Sequence, residues 1–263
     1  MPYEPLVILH IALTKSISSN IHDVLKSSES THSNELNEYT NAIFYSINSC
    51  QKGLQQVDLG NALIKSCVRL LIEQMPSLCN FHTLSPIPKF REWLDLKIST
   101  YSAQQSQSKE YFNLEQTLTP DETALLLDHF KLSNQTKDQL FINIRQVLNS
   151  NEFRMNNPSD DNLIHKTIGL FVQRACAFYL YYEKKNGYAF NSVANFHLKN
   201  GAQIYRINFK GNLSENGWRS SYGMMVNYGY YLDRVDSNCI NYLINKQIVV
   251  SDLVRNDLSL FKI

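Results

Sequence analysis

The sequence predicts a mixed α/β fold, in which helices flank a sheet. Short apolar runs typical of strands alternate with helical patterns, and strand signals resume after a long helical stretch. The sequence contains no internal repeat and no heptad array that would indicate another architecture. The chain has 263 residues, which corresponds to one or two domains and is long enough for a sizeable core.

The charge balance and the cysteines exclude several classes of protein. The 25 Lys and Arg residues are offset by 24 Asp and Glu residues, so we expect no basic surface for nucleic acid. Five cysteines without a CxxC pair indicate reduced thiols, not a disulfide-knit secreted domain or a cysteine zinc site. No apolar run reaches the ~20 residues that span a membrane, and no signal peptide is recognised. We therefore expect an intracellular protein, cytoplasmic by default.

Three strands are predicted in the first third of the chain. Residues 6–12 are almost continuously apolar, which predicts a strand buried on both faces. Residues 42–47 and 80–84 form the second and third strands. The third strand runs into residues 85–88, where two prolines exclude both a helix and a central strand.

A long helical pattern covers residues 59–75, where apolar side chains recur every fourth residue, and Pro76 ends it. A loop that contains glycine, residues 51–56, joins the second strand to this helix. A strand, a loop and a helix in this order present free backbone N–H groups to an anion. The loop has neither a Walker nor a GxGxxG pattern, so phosphate binding and a plain connection both remain open.

A helical insertion is predicted at residues 115–185. Thr119, Pro120 and Glu122 form a capping box with proline at the first helical position. Strand signals return after this stretch, so we expect an insertion and not a separate domain. The expected helices are residues 120–130, 136–148 and 162–184.

Residues 193–209 predict a β-hairpin, because Asn200 and Gly201 suit a type I′ turn between two runs of alternating polarity. On this interpretation His197 shares a polar face with Asn195. A hydrogen-bonded structural histidine remains the alternative to a functional one.

The remaining patterns carry little chemistry by themselves. Residues 220–232 predict a helix that two glycines weaken. Spacing alone makes Ser85 a loop serine, since no GxSxG elbow is present. No HExxH motif and no carboxylate cluster has metal-ligand spacing, so no metal site is predicted. The last helices are expected at residues 238–246 and 251–260.

Three longer strings carry a resemblance to a known family. They are FHTLSPIP at residues 81–88, VANFHLKNGA at residues 193–202 and GMMVNY at residues 223–228. With the opening residues 4–14, they resemble malonyl-CoA decarboxylases over essentially the whole chain and in the family's order. The resemblance implies one catalytic domain over residues 1–263, with the twisted mixed sheet and flanking helices of the GCN5-related N-acetyltransferases.

The resemblance also implies a set of site residues. The family's catalytic serine and histidine correspond to Ser85 and His197, and supporting positions correspond to Ser46, Asp58 and Tyr230. The substrate malonyl-CoA is expected to bind a segment whose backbone at the helix start receives the phosphates. This segment comprises Gln55, Gln56, Val57, Asp58, Leu59, Gly60 and Asn61.

The reaction that the resemblance implies is the loss of CO2 from malonyl-CoA, which leaves a thioester enolate and then acetyl-CoA. The thioester carbonyl is itself the electron sink, so no cofactor is required. The site must stabilise the enolate and deliver a proton to the α-carbon. His197 is expected to donate this proton. Ser85 is expected to position the carboxylate or to take part in proton transfer, and the Tyr230 hydroxyl to orient the reacting group.

Two positions depart from the family pattern. Gln56 stands where the family pattern has glycine and Asp58 where it has glutamate, and whether these changes weaken binding or alignment is left open. The family's N-terminal helical domain is expected to be absent, which leaves homo-oligomers open. Family members reside in mitochondria or peroxisomes and influence fatty-acid metabolism. The alternatives to a decarboxylase are a catalytically silent acyl-CoA-binding form and an N-acyltransferase on the same fold.

Overall fold

The computed structural model describes residues 5–27, 38–50, 59–104, 112–133, 137–155 and 162–261, with the backbone alone at 27, 49, 59–62 and 102–104. The chain divides into two compact units. The first unit comprises Met1–Ser85, Phe196–Arg206 and Val226–Val249. The second unit comprises Pro86–Asn195, Ile207–Met225 and Val250–Ile263.

Strands and helices alternate along the described residues. The strands are β1 (Val7–Thr14), β2 (Asn41–Ser49), β3 (Asn80–Thr83), β4 (Ser85–Pro86), β5 (Lys184–Lys185), β6 (Tyr188–Ala189), β7 (Gln203–Asn208) and β8 (Met225–Gly229). The helices are α1 (Ile21–Ser27), α2 (Leu59–Gln74), α3 (Phe90–Gln104), α4 (Pro120–His129), α5 (Lys137–Leu148), α6 (Asn151–Met155), α7 (Leu163–Tyr181), α8 (Ser192–Lys199), α9 (Glu215–Ser221), α10 (Val235–Asn245) and α11 (Asp252–Leu258). A short 3-10 helix covers Leu114–Thr117.

The main sheet is mixed, which confirms the predicted fold class. Its strand order is β1-β2-β3-β8-β4, and β7 also pairs with β8. β1 and β2 are antiparallel, whereas β2 and β3 are parallel and are joined by α2, as a parallel pair requires a crossover. β8 runs antiparallel to β3, with His82 opposite Gly229. This register places His82 of β3 beside Gly229 of β8 in the first unit.

The first strand is an edge strand, and the prediction that it is buried on both faces is wrong. Its first five residues alternate between half-buried and exposed, and Ile8 is 38% exposed. β1 is the first strand in the sheet order, with β2 as its neighbour. A continuous apolar run therefore does not distinguish a central strand from an edge strand, because the run says nothing about what covers each face.

Several elements form as predicted. β2, α2 and β3 lie within one or two residues of their predicted bounds. At the start of α4 the Thr119 side chain accepts the N–H of Glu122, and the Glu122 carboxylate accepts the N–H of Thr119. Each bond gives a partner to a backbone N–H group that has none within the helix, so the capping box is confirmed.

The predicted β-hairpin at residues 193–209 is wrong in its first half. Ser192–Lys199 is the helix α8, and β7 follows after a turn. Gly201 has φ +81° and donates to the Leu198 carbonyl, while Ala202 donates to the His197 carbonyl. These two bonds make a Schellman motif, so the Asn-Gly pair ends a helix and does not connect two strands. The Asn191 side chain caps the start by accepting the N–H of Ala194.

The predicted helix at residues 220–232 is also wrong. α9 ends at Ser221, and Tyr222 and Gly223 follow with φ of +52° and +72°. The chain then enters β8, which is buried along its whole length. Two consecutive residues with left-handed φ end the helix and turn the chain into the strand β8. The apolar pattern of residues 220–232 runs through both elements, so the pattern alone did not show where the helix ends.

The second unit is largely helical. From Leu114 to Tyr181 its described residues form the 3-10 helix and α4 to α7, which is compatible with the predicted insertion. Trp93 lies 4.8 Å from Phe112 between ring centroids, and Phe112 lies 4.6 Å from Phe178. These rings give the unit an apolar core of its own. No described helix is both long and apolar enough to cross a membrane.

Candidate active site

Ser85 is the first residue of β4 and is separated from the end of β3 by Leu84 alone. The N–H of Leu84 donates to the Phe44 carbonyl at 3.1 Å, so the chain beyond β3 stays beside β2. Pro86 follows Ser85 and fixes its own φ. Ser85 is 5% exposed, and its hydroxyl is therefore a buried polar group that needs partners.

His197 lies in the last turn of α8. Its carbonyl oxygen accepts the N–H groups of Asn200 and Ala202, each at 3.1 Å, so the helix end is closed. The imidazole stacks on the ring of Tyr228, with centroids 4.4 Å apart and an interplanar angle of 25°. The helix end fixes the backbone and the tyrosine fixes the ring plane, so the two ring nitrogens point in defined directions.

Three of the predicted site residues form one hydrogen-bonded series. His197 Nε2 lies 3.1 Å from Ser85 Oγ, and His197 Nδ1 lies 2.8 Å from the Tyr230 hydroxyl. Tyr230 is 4% exposed, and its N–H donates to the Phe81 carbonyl at 2.9 Å. The structure thus brings together residues that are 145 positions apart at the ends of the series (Ser85 and Tyr230). Their catalytic roles stay predictions.

Burial controls the charge of His197. The side chain is surrounded by protein, and desolvation lowers its pKa from 6.5 to about 3. The imidazole is therefore neutral near pH 7, with one nitrogen carrying a hydrogen and the other a lone pair. A neutral imidazole with a hydroxyl at each nitrogen can pass a proton from one hydroxyl to the other.

Thr83 is part of this site, and the sequence analysis did not assign it a role. Ser85 Oγ lies 2.8 Å from Thr83 Oγ1, which also accepts the N–H of Tyr228 at 3.1 Å. The carbonyl of Thr83 accepts a hydrogen bond of 2.7 Å from Asn227 Nδ2. The available signal was the two-residue spacing of Thr83 and Ser85, which places alternate strand residues on one face.

Ser46 does not join the series. It is half-buried on β2, where its hydroxyl accepts a 2.9 Å hydrogen bond from Asn48 Nδ2. Across the sheet it is opposite His10. Within the described part of the chain, no hydrogen bond connects Ser46 with Ser85, His197 or Tyr230. Its supporting role stays a prediction.

The predicted malonyl-CoA segment lies mostly outside the described residues. Gln55, Gln56, Val57 and Asp58 fall there, so their roles stay predictions. Leu59, Gly60 and Asn61 form the first turn of α2, where the backbone is described. The first N–H groups of an α-helix have no partner within the helix, which suits this turn to an anion.

A buried serine, histidine and tyrosine form a hydrogen-bonded series beside a mixed sheet, and this geometry is typical of sites that can hold and pass a proton. The site lacks the strand–turn–helix elbow on which α/β-hydrolases carry a nucleophilic serine. Over the described ranges, no three His, Cys, Asp or Glu side chains are grouped as metal ligands. The arrangement is suited to general acid–base chemistry.

A family model assigns the chain. The model of the malonyl-CoA decarboxylase C-terminal domain matches residues 1–262. The chain therefore belongs to the malonyl-CoA decarboxylase family, which confirms the resemblance that the three strings predict.

Curated relatives agree over the full chain. It is 41% identical to the mitochondrial malonyl-CoA decarboxylase of Anser anser anser over 262 residues, which are 100% of this chain and 48% of that protein. It is 40% identical to the mitochondrial malonyl-CoA decarboxylase of Rattus norvegicus, with 96% of this chain and 48% of that protein covered. The chain thus spans about half the length of these relatives.

Solved structures of the family have the same fold. The malonyl-CoA decarboxylase of Agrobacterium vitis superposes with a TM-score of 0.74 at 30% identity, covering 97% of this chain and 53% of that chain. The malonyl-CoA decarboxylase of Rhodopseudomonas palustris gives a TM-score of 0.72 at 30% identity, covering 96% and 50%.

Proposed function

We propose that this protein decarboxylates malonyl-CoA to acetyl-CoA and CO2. The observation that carries the proposal is the series Ser85–His197–Tyr230, in which each nitrogen of a neutral, buried imidazole contacts a hydroxyl. Membership of the malonyl-CoA decarboxylase family supports the substrate. The reaction needs one proton at the α-carbon, and this series is suited to supply it.

The proposed reaction balances with one proton. The bond between the α-carbon and the carboxylate carbon breaks, CO2 leaves, and the electron pair moves into the thioester as an enolate. A proton then forms the new C–H bond of acetyl-CoA. Because the thioester accepts the electrons, the proposed reaction needs no cofactor. Donors near the carbonyl oxygen lower the energy of the enolate as charge develops.

His197 is the proposed source of the proton. A thioester enolate is a much stronger base than neutral imidazole, so a neutral N–H is a sufficient donor and an imidazolium is not required. Nε2 faces Ser85 Oγ at 3.1 Å, so the proton of His197 reaches the α-carbon by way of this hydroxyl, which gives up its own hydrogen and takes the Nε2 hydrogen in its place. Tyr230 supports the transfer from Nδ1, where its O–H can replace the hydrogen that the ring loses.

Binding of the CoA phosphates is proposed for residues 55–61, which lead into α2. The backbone N–H groups of a helix start attract anions, and the 16-residue α2 has a full macrodipole. Asp58 and Ser46 are proposed as supporting positions. A homo-oligomer is compatible with the proposal.

The direct experiment is to incubate the purified protein with malonyl-CoA and to follow CO2 and acetyl-CoA. We expect His197→Ala and Ser85→Ala to lower kcat on the order of a hundredfold. His22→Ala is the matched control, since His22 is an exposed histidine on α1. A wild-type protein that turns over malonyl-CoA no faster than His197→Ala would refute the proposed decarboxylase activity. Binding without turnover would favour the silent form, and acetyl transfer to an amine would favour the N-acyltransferase.

The compartment belongs to the proposal as well. The relatives from Anser anser anser and Rattus norvegicus are named mitochondrial. We propose a mitochondrial role in lowering malonyl-CoA and so in fatty-acid metabolism, with cytoplasm and peroxisome as alternatives. Fractionation of the source cells, with detection of the untagged protein, distinguishes the three.

A further inference from the structure

The Ser85 hydroxyl has two partners and one hydrogen. Thr83 Oγ1 lies 2.8 Å away and His197 Nε2 lies 3.1 Å away. A serine hydroxyl donates one hydrogen bond and accepts others. Whichever partner receives the Ser85 hydrogen, the other contact needs a hydrogen from the partner's side. The direction of one bond therefore determines the direction of the next.

Two arrangements satisfy every contact. In the first, Ser85 donates to Thr83, the Nε2 hydrogen of His197 points to Ser85, and Nδ1 accepts the Tyr230 hydroxyl hydrogen. In the second, Thr83 donates to Ser85, Ser85 donates to Nε2, and the Nδ1 hydrogen points to Tyr230. The arrangements differ in which nitrogen of the neutral imidazole carries its hydrogen.

The Thr83 hydroxyl can either donate a hydrogen bond to Ser85 or accept one from it while its oxygen stays in place. The Tyr228 N–H uses one acceptor position of Oγ1, which leaves one acceptor position and one hydrogen for Ser85. Thr83 is 1% exposed, and its carbonyl is held by Asn227, which is itself 0% exposed. Within the described ranges, Oγ1 has no hydrogen-bond partner besides Ser85 and Tyr228. Ser85 is therefore the partner that determines whether the Thr83 hydroxyl donates or accepts.

We propose that Thr83 is a positioning residue that reverses its hydrogen bond to Ser85 and thereby sets the tautomer of His197. The tautomer part of this inference is independent of the proposed function. Its consequence for turnover rests on that function, because the tautomer exchange and the proposed proton transfer use the same hydroxyls and imidazole.

The consequence for turnover follows from the balance of protons. When the enolate carbon takes the Ser85 hydrogen, the oxygen left behind faces two donors, Thr83 O–H and His197 Nε2–H. The Nε2 hydrogen then moves to Ser85, and the Tyr230 hydrogen moves to Nδ1. Tyr230 recovers a proton from solvent, so one solvent proton is consumed for each CO2 released. His197 is then in its Nδ1–H tautomer, and its return to the Nε2–H tautomer completes the cycle. The proton transfer to the enolate requires Thr83 as a donor, whereas in the first arrangement it is an acceptor.

The test compares Thr83→Val, which keeps the shape and removes the hydroxyl, with Thr83→Ser, which keeps the hydroxyl. Nitrogen-15 NMR of the imidazoles reports the tautomer, and the His197 signals are those that His197→Ala removes. In the substrate-free wild type we expect the signals of both tautomers. In Thr83→Val the Ser85 hydrogen has only Nε2 to bond, so the Nδ1–H tautomer should dominate. Thr83→Ser should resemble the wild type.

The kinetic readout is the second arm. We expect Thr83→Val to lower kcat by about ten- to a hundredfold with KM within about twofold, because substrate contacts are unchanged. Thr83→Ser should recover kcat to within about threefold of the wild type. A lost kcat with an unchanged tautomer ratio would mean a structural effect and would overturn the proposal, as would an unaffected kcat in an active enzyme.

The outcomes keep the two proposals distinct. A wild type that releases no CO2 refutes the proposed function, and the tautomer ratio then still decides the role of Thr83. If Thr83→Val does not fold by circular dichroism, Thr83→Ala takes its place. If neither folds, the wild type alone decides, because a single His197 tautomer would overturn the proposal and two tautomers would support it.

Discussion

Gly201 approaches the backbone of Val235 so closely that a Cβ at this position would lie 1.9 Å from the Val235 carbonyl oxygen. Gly201 also has φ +81°, a conformation that side chains disfavour. This residue ends the helix that bears His197, and its neighbour Ala202 donates to the His197 carbonyl. Glycine is therefore required at the turn that holds the imidazole in place.

We expect Gly201→Ala to lower the free energy of unfolding by ~3 kcal/mol or more, because backbone must move as well as adopt a strained φ. Gly187→Ala is the matched control. Gly187 is exposed with φ +80°, so the strain alone should cost about 1–2 kcal/mol. Urea unfolding of the wild type and both variants measures the difference. Equal losses in the two variants would contradict the close approach to Val235.

Tyr230→Phe should lower kcat by about tenfold or more, since His197 Nδ1 would lose its 2.8 Å partner in a buried site. Tyr231→Phe removes a hydroxyl from the next residue, outside the series, and should leave kcat within about twofold. Initial rates of CO2 release over a range of malonyl-CoA concentrations give kcat and KM. If both variants behaved alike, the hydroxyl at residue 230 would have no special role.

The buried histidines should make the protein sensitive to acid. Burial, with a smaller effect of Arg206, lowers the pKa of His82 from 6.5 to about 4, and burial lowers that of His197 to about 3. Unfolding returns both to ordinary values, so the unfolded chain binds more protons below pH 6.5 and stability falls as the pH falls from 6.5 towards 4.

Thermal unfolding between pH 7.5 and 5 measures this dependence. His82→Gln should reduce the slope of Tm against pH, whereas His22→Gln, at an exposed position, should not change it. An unaltered slope in His82→Gln would show that this histidine does not lose its proton on folding.

The pH dependence of the rate should differ from that of an enzyme with an ordinary catalytic histidine. The low pKa of His197 keeps the imidazole neutral throughout pH 6–8, so kcat/KM should show no inflection from this residue near pH 6.5. Steady-state rates at constant ionic strength test this expectation. An inflection near pH 6.5 that Tyr230→Phe displaces would assign an ordinary pKa to His197.

The strings at residues 81–88, 193–202 and 223–228 were sufficient to predict the family, and the resemblance they carry assigned the expected site to Ser85, His197 and Tyr230. They were not sufficient to predict the local structure that carries His197. Asn-Gly suits a hairpin turn and a helix end alike, and only the packing of Gly201 on Val235 selects the helix end. The role of Thr83 was equally hidden, because its partner Tyr228 is 145 residues away.

The sequence by itself determined the mixed α/β class, the helix α2, the capping box at Thr119 and the expectation that Ser85, His197 and Tyr230 share a site, because local periodicity, caps and specific strings are properties of neighbouring residues. The tertiary structure decided which face of β1 is covered, how the Asn200-Gly201 turn closes, and how burial sets the charge of His197. These properties arise from contacts between distant segments, which no local pattern encodes. The 16 residues of α2 can be predicted from the spacing of their apolar side chains. The neutral imidazole of His197 between two hydroxyls, in contrast, requires the fold to bring α8 next to Ser85 and Tyr230.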